Sequence, residues 1–147
     1  MSETRAPDRC ACGLAIEGSQ AYAYNEEAFG YLLRVQRKRS ERSDQPFLLL
    51  LVDLRGKPDQ LVRIESTAAR PLFAALADAL RDDDLIGWYK EPYIVGAVLT
   101  ECADGSRGRT AAIVTERVTK ALADALTPET AARFQVRVCQ IQPKLTS

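Results

Sequence analysis

A run of six apolar residues, Phe47 to Val52, constrains the fold more than any other segment of the sequence. No polar residue interrupts the run, so neither side of a strand formed by it is suited to face water. Gln45-Pro46 ends the helical pattern before it, and Asp53 closes it on the other side. The pattern therefore predicts a central strand of a sheet that is covered on both faces.

Apolar residues at helical spacing predict three helices around this strand. The first begins after Asn25, a good N-cap, and two glutamates follow in the first turn, where the helix dipole favours negative charge. The second spans about residues 66–81, and Pro71 within it predicts a kink or a late start. The third carries an apolar stripe from Val114 to Ala125 and ends before Pro128.

Further strands follow the second helix. Residues 85–89 and 93–99 are short and apolar, and Lys90-Glu91-Pro92 between them predicts a hairpin. Residues 134–138 alternate between apolar and polar, which is typical of a strand with one wet face. The first two strands are too far apart for a tight turn, so a crossover helix should join them.

This order of elements predicts an α/β (α+β) fold with one mixed sheet of about four to five strands and helices packed on it. Residues 25–147 form the predicted domain. Residues 1–24 mix glycine, proline and polar residues without a strong period, and they are predicted as an N-terminal arm.

The chain has no histidine among its 147 residues, which excludes several kinds of chemistry. Histidine is the usual general base, the usual partner of a serine or cysteine nucleophile, and the commonest zinc ligand. Four cysteines remain, of which Cys10 and Cys12 are too close for a typical disulfide, and no second close pair completes a zinc site. We expect reduced thiols, no metal and no cofactor.

The charges of the chain balance, with 20 basic and 20 acidic residues. No net field therefore draws the protein towards nucleic acid or an acidic membrane. The sequence contains neither a signal peptide nor an apolar span of about 18 residues. We expect a cytoplasmic protein that binds neither nucleic acid nor membrane.

Two stretches of the sequence resemble diguanylate cyclase domains, called GGDEF domains after their hairpin motif. The first is Phe29-x-x-Leu32-Leu33, which leads into the apolar run and Asp53. The second begins at Arg81-x-x-Asp84, at the family's spacing of five residues before the motif, and leads into the hairpin. Glu116-Arg117-Val118 is similar to the family's Ala-Glu-Arg segment. The resemblance spans roughly residues 25–141 and implies a nucleotide-cyclase-like fold.

The departures from the family pattern imply a catalytically inactive domain. The cyclase reaction needs two carboxylates that hold metal ions and bare glycine backbone that admits phosphates. Asp53 matches the first metal carboxylate, but Pro92 replaces the second, and the two motif glycines are Lys90 and Glu91. A one-residue slip of the alignment would let Glu91 substitute for the lost carboxylate. Without a second carboxylate, Asp53 is expected to form a local hydrogen bond or ion pair.

Two further departures lie outside the motif. The residues that bind the substrate guanine in the family fall near Leu61 and Arg70, and neither suits that role. The sequence also stops soon after the strand at Phe134, without the family's closing helix. No residue is therefore predicted to be catalytic, and the protein is not expected to be an enzyme.

In the family, Arg-x-x-Asp is an inhibitory site that binds the product, cyclic di-GMP. An arginine fork suits the paired acceptors of a guanine edge, and a carboxylate suits its N–H donors. The resemblance implies that Arg81 binds a guanine edge or a phosphate, Asp84 the donor edge, and Arg117 a second base or phosphate. The alternative is a surface ion pair between Arg81 and Asp84 and a solvated Arg117.

Two functional hypotheses follow. In the first, the chain is a cyclic di-GMP receptor, and the resemblance suggests control of exopolysaccharide production or secretion. In the second, it is a protein-interaction module that binds no nucleotide, with a second copy of the chain among the candidate partners. The second hypothesis rests on a surface around the hairpin tip, formed by Tyr89, Lys90, Glu91 and Tyr93. Trp88 is predicted to pack on a strand face, with stacking on a base or on a partner surface as the alternative. The basic end of the first helix is predicted to be solvated, with contact to an anion or a partner protein as the alternative.

Overall fold

A mixed sheet with helices on both faces is the main feature of the computed structural model, which describes residues 13–15, 22–56, 60–80, 84–99 and 107–141. The strands are β1 (Gly13–Ala15), β2 (Tyr22–Tyr24), β3 (Phe47–Arg55), β4 (Leu61–Val62), β5 (Leu85–Lys90), β6 (Ile94–Leu99) and β7 (Phe134–Ile141). The helices are α1 (Glu26–Ser43), α2 (Ser66–Ala79), α3 (Arg107–Ala125) and α4 (Pro128–Arg133).

The strand order is β1-β2-β5-β6-β3-β4, and β7 pairs with β3. β3 is antiparallel to both β6 and β7, whereas β2 and β5 are parallel. The predicted mixed sheet and its hairpin of β5 and β6 are confirmed. Seven described strands replace the predicted four to five, because β1, β2 and β4 are only two or three residues long and show no period in the sequence.

β3 is the central strand that its apolar run predicts. Alternate residues of a strand point to opposite faces of the sheet. Leu48, Leu50 and Val52 belong to the apolar cluster that includes α2 and α3. Leu49 and Leu51 belong to a second cluster, on the face that α1 covers. The strand continues past its predicted end to Arg55, so Asp53 lies inside the sheet rather than after it.

The predicted helices are present with small shifts of their ends. The side chain of Asn25 accepts a hydrogen bond from the backbone N–H of Ala28, which confirms the predicted N-cap of α1. α2 begins at Ser66 and continues through Pro71, so the alternative of a late start is wrong. The short helix α4 was not predicted; Thr127 caps it and Pro128 starts it, the arrangement proline favours.

Part of the predicted N-terminal arm belongs to the sheet. β2 pairs in parallel with β5, with Ala23 opposite Ile86 and Tyr24 opposite Gly87. Ala23 is buried in the cluster on the α2 side, and Tyr24 packs into the cluster on the α1 side. Where the arm ends and the domain begins stays a prediction.

Candidate functional site

Asp53 is a fully buried carboxylate that two arginines neutralise. Its register partners are Ile94 on β6 and Gln135 on β7. One carboxylate oxygen, Oδ1, accepts a hydrogen bond from Nε of Arg55 at 2.8 Å, and Oδ2 accepts one from Nη2 of Arg137 at 2.9 Å. The Asp53 side chain is 0 % exposed, whereas those of Arg55 and Arg137 are 29 % and 42 % exposed. The predicted ion pair of Asp53 is confirmed.

Strand geometry places the three charges together. Arg55 follows Asp53 by two residues, so the two side chains emerge on the same face of β3. Arg137 stands two residues from the register partner of Asp53 on β7, which is a diagonal neighbour within reach of a long side chain. Sequence reasoning missed both arginines as partners of Asp53. The alternation in Asp53-x-Arg55 is a signal for the first, but the second depends on the β3–β7 register.

These contacts leave Asp53 poorly suited to hold a metal ion. A divalent cation needs free carboxylate oxygens, usually from more than one acidic side chain. Both oxygens of Asp53 are engaged by guanidinium groups. In the described part of the chain, no three His, Cys, Asp or Glu residues cluster in a way that could bind a metal. Among the described residues, Asp53 therefore has no acidic cluster around it that could hold a metal ion.

The tip of the β5–β6 hairpin is tied to its neighbours on two sides. The backbone N–H of Glu91 donates to the side chain of Glu26 in the first turn of α1, at 3.0 Å. The carbonyl of Pro92 accepts from the backbone N–H of Ile64, which lies just before α2, at 2.9 Å. The peptide bond between Glu91 and Pro92 is cis. Tyr93 follows on this anchored turn and is 40 % exposed.

The three predicted ligand-binding residues have different settings. Arg81 lies outside the described residues. Asp84 directly precedes β5, is only 7 % exposed and already makes a polar contact. Arg117 is exposed on α3, beside the buried Val118. Asp84 and Arg117 are both described, and neither a hydrogen bond nor an ion pair joins them.

The structure also describes Trp88, the basic end of α1 and one of the four cysteines. Trp88 packs edge-to-face on Phe73 of α2, with ring centroids 5.4 Å apart, which confirms its packing role. The basic residues at the end of α1 are exposed, as expected of a solvated face: Arg34, Arg37, Lys38, Arg39 and Arg42. Cys139 is a half-buried free thiol, and the other three cysteines lie outside the described residues.

The described helices do not combine the length and apolar character needed to cross a lipid bilayer.

Comparison with solved structures shows that the chain has the fold of GGDEF domains. No protein-family model matches the sequence, and no curated protein matches it. A diguanylate cyclase from Thermotoga maritima is similar in structure, with a TM-score of 0.55, 16% sequence identity, and coverage of 80% of this chain and 79% of that one.

Two further structures have the same fold. One is the diguanylate cyclase SiaD of Pseudomonas aeruginosa in complex with its activator SiaC, with a TM-score of 0.52, 19% identity, and coverage of 80% of this chain and 46% of that one. The other is the GGDEF domain of DgcB from Caulobacter crescentus in complex with c-di-GMP, with a TM-score of 0.53, 12% identity, and coverage of 88% and 79%. At these identities the likeness is one of fold.

Proposed function

We propose that this chain is a catalytically inactive GGDEF-fold domain that acts by binding. The observation that carries this proposal is the complete engagement of Asp53 by Arg55 and Arg137. A buried carboxylate whose two oxygens already accept hydrogen bonds from guanidinium groups is a poor ligand for a metal ion, because the two positive charges repel a cation. The hairpin tip adds no second carboxylate at the motif position, where Pro92 stands. Incubation with GTP and Mg²⁺ or Mn²⁺ should yield no cyclic product.

The proposed ligand is cyclic di-GMP, bound by Arg81, Asp84 and Arg117. The exposed guanidinium of Arg117 is available to a phosphate or to a guanine edge. Asp84 is nearly buried and already makes a polar contact, so binding of the N–H donors of guanine requires its carboxylate to become accessible. Such a receptor would control a process such as exopolysaccharide production. Support also comes from the fold, since the DgcB GGDEF domain is in complex with c-di-GMP.

Isothermal titration calorimetry with cyclic di-GMP tests the receptor proposal. The wild-type chain should release heat at micromolar ligand, and Arg81→Ala or Arg117→Ala should weaken binding at least about tenfold, the loss of one charged hydrogen bond. Arg34→Ala, an exposed arginine of α1, is the matched control and should bind normally. An absence of heat with the wild-type chain well above micromolar ligand would rule out the receptor.

The second candidate function is a nucleotide-independent protein-interaction module. It is favoured by the anchored hairpin tip, which presents the exposed Tyr93 on a turn fixed to α1 and to the segment before α2. Exposed aromatic residues on rigid backbone are common contact points at protein interfaces. This candidate predicts a melting temperature that no guanine nucleotide changes, and a partner whose binding is lost in Tyr93→Ser and kept in Tyr31→Ser. Tyr31 is a second exposed tyrosine, on α1.

A further inference from the structure

A shallow groove of about 830 Å³ lies along α3 beside the edge of the sheet. Four small residues at every fourth position form a stripe on its floor, and Val138 of β7 lines it from the sheet side. The stripe consists of Ala111, Thr115, Thr119 and Ala123. Small side chains let a second helix approach closely, towards the lower end of the usual 8–10 Å between helix axes. The groove therefore has the shape to receive a helix.

No described strand pairs with the outer edge of the strand beside the groove. β7 is eight residues long and, among the described residues, pairs only with β3. Its other edge carries a row of backbone N–H and C=O groups that a further strand can pair with. Gln135, Arg137 and Gln140 on β7 are exposed. An occupant that supplies both a strand and a helix would cover this edge and the groove together.

The charges at the groove are complementary to those of the same groove on a second copy of the chain. Glu116 and Lys120 both line the groove and are exposed, one turn apart on α3. Around a two-fold axis beside position 118, Glu116 of one copy stands opposite Lys120 of the other, and the same contact repeats with the copies exchanged. The middle of the small-residue stripe is position 117, so nearly the same axis aligns the two stripes. A second copy of this chain therefore matches the groove in charge and in shape.

We propose that the chain forms a symmetric dimer in which α3 packs antiparallel against α3 of a second copy and β7 pairs antiparallel with β7. The two contacts are compatible because Val138, near the middle of β7, lines the groove whose centre lies at positions 117–118 of α3. With the axis at Val138, Arg137 stands opposite Cys139 of the second copy rather than opposite another Arg137. The two Arg137 side chains are then diagonal neighbours on one face, and in each copy the carboxylate of Asp53 neutralises the charge of its own Arg137.

The dimer interface is separate from the proposed ligand site. Successive helix residues are about 100° apart, so Arg117 is about 200° round α3 from Thr119 in the groove. Arg117 therefore does not face the small-residue stripe, and it does not line the groove, although it lies on the same side of α3 as Lys120 at the rim of the interface. A failure of cyclic di-GMP binding leaves the dimer untouched, and loss of the dimer leaves Arg117 exposed.

Charge reversal on the full chain tests the dimer by sedimentation velocity and light scattering. The wild-type chain should have twice the mass of the monomer. Glu116→Lys and Lys120→Glu should each halve that mass, because each places like charges opposite one another in both symmetry-related contacts. An equimolar mixture of these two variants should restore the dimer as a heterodimer, and the double variant should restore it as well.

Asp124→Lys is the matched control, because it makes the same change of charge at an exposed position of α3 outside the groove. It should remain dimeric. Far-ultraviolet circular dichroism of all variants should match the wild type. A wild-type chain that is monomeric at its highest attainable concentration would overturn the proposal. So would a mixture that stays monomeric, or charge-reversed variants that stay dimeric.

Discussion

Asp53 occupies the most buried polar position of the described sheet, while the two arginines that contact it reach towards solvent. Each guanidinium group keeps part of its contact with water, whereas the carboxylate of Asp53 has no contact with water and is neutralised by the two arginines. Removal of one partner from such a group is expensive, because an uncompensated charge remains in a poorly polarisable setting. The carboxylate, rather than the arginines, therefore determines the energetic cost of substitutions here.

This asymmetry predicts that Asp53→Asn lowers the free energy of unfolding when Arg55 and Arg137 are present and raises it when both arginines are replaced. In the wild-type chain, Asp53→Asn should lower the free energy of unfolding by about 1.5–3 kcal/mol, because charge-assisted hydrogen bonds are lost. The pair of substitutions Arg55→Gln and Arg137→Gln should cost about 3–5 kcal/mol. In that background, Asp53→Asn should increase stability, because it removes the uncompensated charge. Urea unfolding of the wild type, Asp53→Asn, the double arginine variant and the triple variant measures the free energies of this double-mutant cycle.

Asp78→Asn on the exposed side of α2 is the matched control and should change stability by less than about 0.5 kcal/mol in both backgrounds. An equal cost of Asp53→Asn in both backgrounds would show that the two arginines do not compensate the carboxylate.

The sequence was sufficient to predict a local hydrogen bond or ion pair for Asp53, but not to identify its two partners. Arg55 is two residues away, and strand alternation alone brings it to the same face. Arg137 is 84 positions further along the chain, and its approach depends on the register between β3 and β7. A slip of one residue in that register would turn Arg137 to the opposite face. Long-range partners of this kind require the pairing of strands to be known.

At the scale of elements, α1 packs on the sheet through the buried ring of Phe29, with Leu33 partly buried against the same cluster. Gly87 on β5 and Gly96 on β6 are register partners, and the ring of Phe29 lies against both. A Cβ at Gly96 would be 3.1 Å from two ring atoms of Phe29 and 3.2 Å from the Cβ of Tyr89. A Cβ at Gly87 would be 2.6 Å from the backbone oxygen of Tyr24 on β2. Both glycines thus make room for the ring of Phe29, and Gly87 makes room for the backbone of Tyr24 as well.

The two glycines should respond differently when Phe29 is made smaller. Gly96→Ala should cost about 1–2 kcal/mol and Gly87→Ala about 2–3 kcal/mol, the range of overpacked cores. In a Phe29→Leu background the cost of Gly96→Ala should fall, since the ring that it meets is gone. The cost of Gly87→Ala should persist, because the oxygen of Tyr24 cannot move without the β2–β5 pairing. Thermal and urea unfolding measure the coupling energy between Phe29→Leu and each glycine substitution. If Phe29→Leu reduced the cost of Gly87→Ala as much as that of Gly96→Ala, this explanation would be wrong.

Elements with a clear period were predictable, and those without one were not. The apolar run of β3, the cap of α1 and the hairpin of β5 and β6 each carry a local signal that the fold preserves. β1, β2 and β4 span two or three residues, too few to show alternation, and they are strands only because neighbours provide hydrogen-bond partners. The end of α2 at Ala79 rather than at position 81 is the ordinary uncertainty of a helix terminus.

Across the whole molecule, β3 joins two apolar clusters that would otherwise be separate. Its even-numbered residues pack with α2 and α3, and its odd-numbered residues pack with α1. The fold class follows from this one strand, because a strand that is apolar on both sides requires cover on both sides. The binding site does not follow from the fold, because many functions share one architecture and differ only in side chains at a few positions.

Although β2 is only three residues long, it contributes to both apolar clusters. Deletion of the N-terminal arm at its predicted boundary, after residue 24, therefore removes part of the core. Ala23 packs into one cluster, Tyr24 packs into the other, and their backbone covers the edge of β5. A chain of residues 25–147 should lose about 2–4 kcal/mol of stability from the lost apolar burial. It should also aggregate more readily, because β5 then becomes an uncovered edge strand.

A chain of residues 22–147 is the matched control for that deletion, since it keeps β2 and the Asn25 cap and lacks only what precedes them. Its urea midpoint should lie closer to that of the full chain than to that of residues 25–147. If residues 25–147 unfold at the midpoint of the full chain, the arm is an appendage and β2 contributes nothing to the core. If the urea midpoints of the three chains differ in equal steps, the residues before β2 contribute as much stability as β2 itself. The packing of Ala23 and Tyr24 would then not be the main contribution of the arm.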